Sequence, residues 1–347
     1  MKLFNFFRRN HKDNEINLNR EFQKLNKKTD DILLLLKTEY TKTEMLLWSI
    51  YKNSDESIVE AKKRFFYNLE KANNKDIERC QKNGIVLLYN LDTICKKYNI
   101  NYWISFGTLL GAVRHKGFIP WDDDIDVGML RDDILKLKQV LKDNSEFYVD
   151  DFFCVEHKVP FMQHCIKFKH RKFKSVGDLD IFVYDRCADF NDDKLNKLHD
   201  TYKIMGKKAH NVLKDNKKIL NDIATYSKDI VYQNIFDYYM KTTEEFISYN
   251  NGSYLIYNID NVKTNSGTNS CTTYDMIFPL KPIIFENMKL LGPNKPELYA
   301  NKIYDDMYSL PDDMLTHNHF LLNEKSRIQY DEIIKKYFFL FINGELK

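Results

Sequence analysis

The sequence predicts an α/β (α+β) protein in which strands are interleaved with helices, N-terminal helices stand in front, and a helical insertion interrupts the strands. Three observations carry this. Before position 100, apolar residues recur at 3- and 4-residue steps among many charges; over 161–173 and 178–185 they alternate every second residue. Between 191 and 249 proline is missing and Gly206 is the one glycine, whereas Gly and Pro punctuation returns after Ser270. A chain of 347 residues with 43% hydrophobic content can fill a sizeable core, in one large domain or two ordinary ones. The expected division is an N-terminal helical region, 1–74, and a second domain, 75–347, in which about 191–250 forms an insertion or cap.

Taken in order, Leu18, Phe22, Leu25, Ile32, Leu36 and Leu46 predict one long amphipathic helix, with two uses open to it: packing on the chain's own second domain, or a homodimer through a coiled coil. Ahead of it, Leu3, Phe4, Phe6 and Phe7 beside Arg8, Arg9, His11 and Lys12 make an apolar wedge next to positive charge, which suits peripheral contact of residues 1–12 with an anionic membrane surface or a frayed end. A second helix, Lys75 to Tyr98, sets Ile77, Cys80, Ile85, Leu88, Leu91 and Ile94 on one side and leads into a strand at Tyr102–Phe106. A glycine turn at Gly107-Thr108, a short helix over Leu109–Val113 and an extended return bearing Asp124 and Asp126 come next. Arg131–Leu141 is expected to be helical, and Phe161–Phe173 a strand that places Lys167 and Lys169 on one face. Those lysines either meet phosphate or guard a solvated edge. Asp178–Asp185 alternates as a further strand, and Pro296–Met307 ends the chain's ordered pattern as a short helix before Leu310-Pro311.

Composition excludes several classes. With 53 basic against 50 acidic residues the net charge is +3, so a nucleic-acid partner is not expected. Cysteines at 80, 95, 154, 165, 187 and 271 form no Cys-x-x-Cys pair, which argues against a disulfide framework and for reduced thiols. Cys154, His157, His164 and Cys165 have zinc-ligand chemistry, but the alternation around Cys165 is that of a strand. No apolar run reaches the length of a membrane span, and no signal-peptide core is seen, so the expected location is cytoplasmic, with residues 1–12 as a peripheral contact on the inner face of the membrane. Gly-x-Gly-x-x-Gly, Walker and Ser-His-Asp patterns are absent.

The chemistry concentrates between Phe106 and Val127, where a glycine turn, the basic cluster Arg114-His115-Lys116 and four aspartates, 122, 123, 124 and 126, crowd together. In extended chain Asp124 and Asp126 share a face while Ile125 and Val127 point to the core. Adjacent carboxylates repel unless a cation neutralises them, and hard oxygen ligands suit Mg²⁺ or Mn²⁺. An EF-hand reading fails for want of the loop glycine and the closing glutamate. Backbone N–H groups at Gly107 and Thr108 can hold a phosphate, and a third carboxylate, Asp180, completes a site for phosphoryl transfer with Asp180 as the expected base. Arg114, His115 and Lys116 either bind the donor's diphosphate or balance the acidic run, with Arg114 the first choice for a functional role.

From Gly107 to Asp126 the sequence resembles the LicD family, which includes the fukutin-like proteins and whose signature is similar to Gly-Thr-Leu-Leu-Gly-Ala-x-Arg-His-x-x-x-x-Pro-Trp-Asp-Asp-Asp-Asp/Ile-Asp. Weaker likeness continues at Asp180-Ile181-Phe182, Phe278-Pro279-Leu280, Phe285-Glu286, Pro293 and Tyr304-Asp305-Asp306-Met307-x-x-Leu310-Pro311, covering roughly residues 80–320 without the helical block. The resemblance implies a nucleotidyltransferase-like fold with a mixed sheet, Mg²⁺ held by Asp124, Asp126 and Asp180, and transfer of a phosphorylated alcohol from a CDP-linked donor such as CDP-choline, CDP-glycerol or CDP-ribitol. The implied acceptor is a sugar of a bacterial surface glycan: capsule, lipopolysaccharide or teichoic acid. Two departures stand out: the family's Tyr-Gly-Asp is Tyr304-Asp305-Asp306 here, and its Phe-Pro after the third aspartate is Phe182-Val183. Two other readings stay open, a nucleotidyltransferase that attaches the nucleotide itself and a non-catalytic glycan-associated scaffold.

Overall fold

A computed structural model describes residues 2–71, 73–156, 160–188, 191–215, 224–244, 252–257, 271–310, 322–337 and 340. Two compact units divide the chain, Met1–Phe65 and Phe66–Lys347. In the first, α1 (Lys2–Tyr51) is a single long helix, followed by α2 (Ile58–Tyr67). The rings of Trp48, Tyr51 and Phe65 pack edge to face at 5.5–5.8 Å, and Arg64 pairs with Glu56. Phe22, Leu25, Ile32, Leu36 and Leu46 on α1 are 58–66% exposed, so the stripe that periodicity detected is not covered within its own unit. The wedge at residues 3–12 lies outside the described side chains.

The second unit is built on α3 (Lys75–Tyr98). Asn74 caps it by accepting from the N–H groups of Asp76 and Ile77, and Asn99, at φ 52°, turns the chain out of it. Ile77, Cys80, Ile85, Leu88 and Leu91 are buried as the periodicity required. β1 (Trp103–Ile104) pairs antiparallel with β2 (Asp126–Leu130), and Trp103 lies opposite Gly128. A Cβ at Gly128 would sit 2.4 Å from the indole, so that close approach admits glycine alone. Between these strands runs α4 (Phe106–His115). It starts three residues earlier than expected, and Gly107 and Thr108 therefore belong to its first turn.

After α5 (Arg131–Val140), β3 (Phe147–Glu156) and β4 (Met162–His170) form an antiparallel pair, and β5 (Leu179–Cys187) lies parallel to β2. The sheet runs β1-β2-β5-β4-β3-β6, the last being Ala224–Ser227, mixed in direction, with helices packed against it. The start of β5, Leu179 and Asp180, pairs with β4, whereas its second half pairs with β7 (Tyr254–Tyr257), which in turn carries β8 (Cys271–Thr273).

The block from 191 to 249 departs from the all-helical expectation. α6 (Asp192–Asp215) and α7 (Ile230–Thr243) flank a strand, β6 (Ala224–Ser227), that adds to the edge of β3. Ala-Thr-Tyr-Ser carries no charge and two good strand formers, and the open ladder of β3 satisfies its backbone. The two helices pack together and with Phe153, Val155 and Met162 into a second core that includes Leu198, Tyr202, Met205, Phe236 and Tyr239. The main core joins α3, β2 and β5 to C-terminal elements: α8 (Tyr274–Ile277), the hairpin β9 (Lys281–Phe285) and β10 (Met288–Gly292), α9 (Pro296–Tyr304) and α10 (Glu324–Lys336). No helix among the described residues is long and apolar enough to cross a membrane. All six cysteines are present as thiols; His157 lies outside the described residues, and His164 Nε2 shares a 2.5 Å hydrogen bond with Asp151 Oδ1.

Candidate active site

The register of four strands assembles the site. Asp126, the first residue of β2, lies beside Asp180 on β5; Asp180 lies beside Lys167 on β4; Lys167 lies beside Asp150 on β3. Directly paired residues project to the same side of a sheet, so the strands lay out a row of carboxylate, carboxylate, ammonium, carboxylate. Asp124, two residues before Asp126, joins one end. Oxygens of Asp124, Asp126 and Asp180 lie within 4.8 Å of one another, and Asp122, Asp123 and Asp124 form a second group of that kind. Ile125 and Val127 are fully buried behind them, as the alternation demanded.

Burial, followed by the charges of Asp124, Asp180 and Asp122, pushes the Asp126 carboxyl well above the usual carboxylate range. Burial also raises Asp180, although Lys167 Nζ, 2.9 Å from its Oδ1, pulls it back. Three oxygen donors this close, two of them raised by burial, have the donor chemistry and the electrostatic need of a site for Mg²⁺ or Mn²⁺.

α4 serves this cluster from one flank. Asp126 donates its backbone N–H to Thr108 Oγ1 at 2.8 Å, and Gly107 donates its own to Asp126 Oδ2 at 3.3 Å. A Cβ at Gly107 would lie 3.0 Å from Asp122 Oδ2, which explains the glycine by proximity. Both residues therefore hold Asp126 itself. Arg114 is buried; its Nη1 donates to the carbonyls of Met307 and Ser309 at 2.8 and 3.1 Å, its Nε donates to His115 Nε2, and its guanidinium stacks 4.5 Å from the Phe66 ring centroid. Burial lowers Arg114 to about 10, and burial followed by the Arg114 charge lowers His115 to about 4. Arg114 thereby fastens the segment after α9 to α4, with His115 as a further acceptor for its guanidinium. Lys116 is exposed and ends α4 at φ 63° with its N–H on Gly111 O.

Lys167 and Lys169 act as partners of carboxylates. Lys167 reaches Asp178 (3.4 Å) and Asp180, while Lys169 reaches Asp178 (3.3 Å) and Asp150 (3.4 Å). With Asp124, Phe152, Tyr226 and Lys228 they line a cavity of about 650 Å³. Asp150, Phe152, Tyr226 and Lys228 were missed by sequence reasoning, because their proximity is set by strand register across distant segments. Tyr304 is a further addition: burial, then the charges of Asp126, Asp122 and Asp124, push its phenol far up. The likeness at Tyr304-Asp305-Asp306 was the signal for it. Asp305, where the family motif has glycine, sits at φ 56°, a conformation that favours glycine.

Residues 99–217 match the family model described as LicD/FKTN/FKRP, nucleotidyltransferase domain. The chain is 36% identical over 106 residues to an uncharacterized protein of Rickettsia typhi, covering 30% of this chain and 29% of that one. It is 52% identical over 56 residues to the lipopolysaccharide cholinephosphotransferase LicD of Haemophilus influenzae, 16% of this chain and 21% of the relative. With the ribitol 5-phosphate transferase FKRP of Homo sapiens it shares 38% identity over 52 residues, 15% of this chain and 10% of that protein. The chain thus spans less than a third of the length of these curated relatives. Asp124, Asp126, Lys167, Lys169 and Asp180 fall inside the matched domain; Tyr226, Lys228 and Tyr304 fall beyond it.

Proposed function

Residues 99–217 are a nucleotidyltransferase domain of the LicD/FKTN/FKRP family, and from that premise we propose that the protein transfers a phosphorylated alcohol from a CDP-linked donor to a sugar hydroxyl of a bacterial surface glycan, releasing CMP. The observation that carries this reading is the close set of Asp124, Asp126 and Asp180. These three residues would hold Mg²⁺ or Mn²⁺, which when bound supplies positive charge against a diphosphate and its leaving group. Everything else falls to the protein's own groups.

Asp180 is the base that takes the acceptor's hydroxyl proton. Burial raises its affinity for a proton, as suits a base, and Lys167, at 2.9 Å, holds the carboxylate in place. The acceptor oxygen attacks the phosphorus that carries the alcohol; the bond from that phosphorus to the oxygen of CMP breaks, and CMP leaves with the electron pair. Gly107 and Thr108 keep Asp126 in position through its carboxylate and its backbone N–H. Tyr304, whose phenol is pushed up by burial and by the charges of the same carboxylates, keeps its proton.

The test is product analysis with purified protein, Mg²⁺, a glycan acceptor and each of CDP-choline, CDP-glycerol and CDP-ribitol. CMP release with cargo on the glycan supports cargo transfer. Release of the phosphorylated alcohol with nucleotide on the glycan means nucleotidyl transfer instead. Turnover that survives Asp124→Asn combined with Asp126→Asn would show that the carboxylate cluster is not the reaction centre, and a folded protein inactive on every donor would favour the scaffold reading.

A further inference from the structure

We propose that the cavity over β4, β3 and β6 is a binding site for a neutral, hydroxyl-rich group, with Tyr226 of β6 and Lys228, the residue that follows the strand, as its selective wall. The inference rests on the transfer reading above only for its account of why such a group is brought there. The cavity, about 650 Å³, opens from Asp124 and Asp180 and extends away from α4 to Asp150, Phe152, Tyr226 and Lys228. That volume holds a small sugar or a linear polyol beside the reacting phosphorus.

Its lining alternates in sign. Lys167 bridges Asp178 and Asp180, Lys169 bridges Asp178 and Asp150, and Lys228 pairs with Asp150. Beyond the carboxylates of the metal-type cluster, each acid of this wall is thus already matched by an ammonium, and the wall offers little net charge to a charged ligand. Each carboxylate nevertheless keeps acceptor positions and each ammonium keeps donors, which is what hydroxyl groups, donors and acceptors at once, can use. Phe152 and Tyr226 meet edge to face at 5.6 Å and supply an apolar surface for the C–H side of such a group. Tyr226 is 72% exposed, an aromatic ring that the fold itself does not bury.

A quaternary ammonium suits this wall poorly. Lys169 Nζ already lies 5.9 Å from the Phe152 ring centroid, and Lys228 stands beside the same acid that Lys169 contacts, so a trimethylammonium group would meet like charge where it seeks a ring face. β6 lies beyond the matched domain, inside the block expected to be helical, so this wall is a feature of the insertion. Two sources have the required chemistry: the polyol of the donor and the sugar of the acceptor.

The experiment is ligand-observed NMR on the full chain with Mg²⁺, using ribitol 5-phosphate, galactose and phosphocholine as probes, on the wild type, Tyr226→Ala and Lys228→Met, each checked for an unchanged melting temperature. Attenuation of ribitol carbon-bound protons, weakened about tenfold in both variants, identifies the donor's polyol as the occupant; the same result with galactose identifies the acceptor sugar. Phosphocholine bound more tightly than both, or polyol and sugar binding untouched by both substitutions, overturns the proposal. CMP release is measured on the same samples: polyol binding that depends on β6 without transfer refutes the function proposed above and leaves this site standing.

Discussion

Asp126→Asn isolates the electrostatic cost of the carboxylate cluster. With oxygens of Asp124, Asp126 and Asp180 within 4.8 Å, each pair of full charges repels by about 3.5 kcal/mol at an effective dielectric of about 20. A ceiling applies, because the buried group takes up a proton instead. For a carboxyl with an unfolded value near 3.9, holding that proton at pH 7 costs folding about 4 kcal/mol at most. Half of that ceiling, about 2 kcal/mol, is a reasonable expectation after local relaxation, and for a domain of this size it corresponds to about 4–8 °C in Tm. The asparagine keeps the acceptor for Gly107 N–H and removes the charge. In EDTA at neutral pH the variant should therefore melt above the wild type. The sign with pH follows from the raised carboxyl: its penalty is absent below the unfolded value and grows as pH rises toward the folded one, so the advantage of the variant shrinks on acidification. Millimolar Mg²⁺ should reverse the order, raising the wild type by several degrees and the variant little. Thermal melts by circular dichroism read all of this. A variant less stable than the wild type in EDTA, together with a wild type indifferent to Mg²⁺ and Mn²⁺, would refute the reasoning.

Three other substitutions probe separate features. Arg114→Lys should cost about 2–3 kcal/mol in urea unfolding, since a point charge cannot serve the Met307 and Ser309 carbonyls and His115 together; equal stability would show the guanidinium geometry to be idle. Burial lowers His170 to about 4 from 6.5, so the stability it permits is complete above pH 6.5 and is lost, up to about 3 kcal/mol, as pH falls toward 4. His170→Gln, which retains a partner for Asn83, should flatten that part of the pH profile, and an unaltered slope counts against the assignment. Asp305→Gly should raise stability by about 1 kcal/mol by relieving a side chain at φ 56°, and a lower Tm would mean that the Asp305 side chain outweighs its backbone strain.

What could be read from the chain depended on how far apart the cooperating residues lie. Lys75–Tyr98 was legible to its ends because an asparagine cap, a continuous apolar side and a left-handed asparagine are all local signals. Asp124 and Asp126 were legible because two residues of extended chain are enough to set them on one face. Asp180 needed only the alternation around it, together with the family likeness. Lys167 could be placed on a strand face but not assigned a partner, since its neighbours Asp180 and Asp150 are fixed by pairing with β5 and β3. Arg114 looked like an anion ligand, and nothing local in Arg-His-Lys reveals acceptors at Met307 and Ser309, almost two hundred positions away. β6 was absorbed into a helical block because Lys- and Asn-rich neighbours dominate any window wide enough to show periodicity. A four-residue uncharged run ending just before the Asp229 cap of α7 was the one available hint.

The way β5 is shared between partners bears on what can be cut from this protein or exchanged with its relatives. Residues 99–217 match the family model, yet β5 within them borrows half of its ladder from β7, and β3 borrows its edge from β6. Tyr299, Met307, Ile333 and Leu340 occupy the same apolar interior as Leu87, Ile104 and Ile181. A fragment ending at residue 217 would bare two strand edges and a gap in its interior, a recipe for aggregation. The matched segment is thus smaller than the folding unit, and a working chimera between relatives would have to carry α3 and the chain as far as Leu340 along with it.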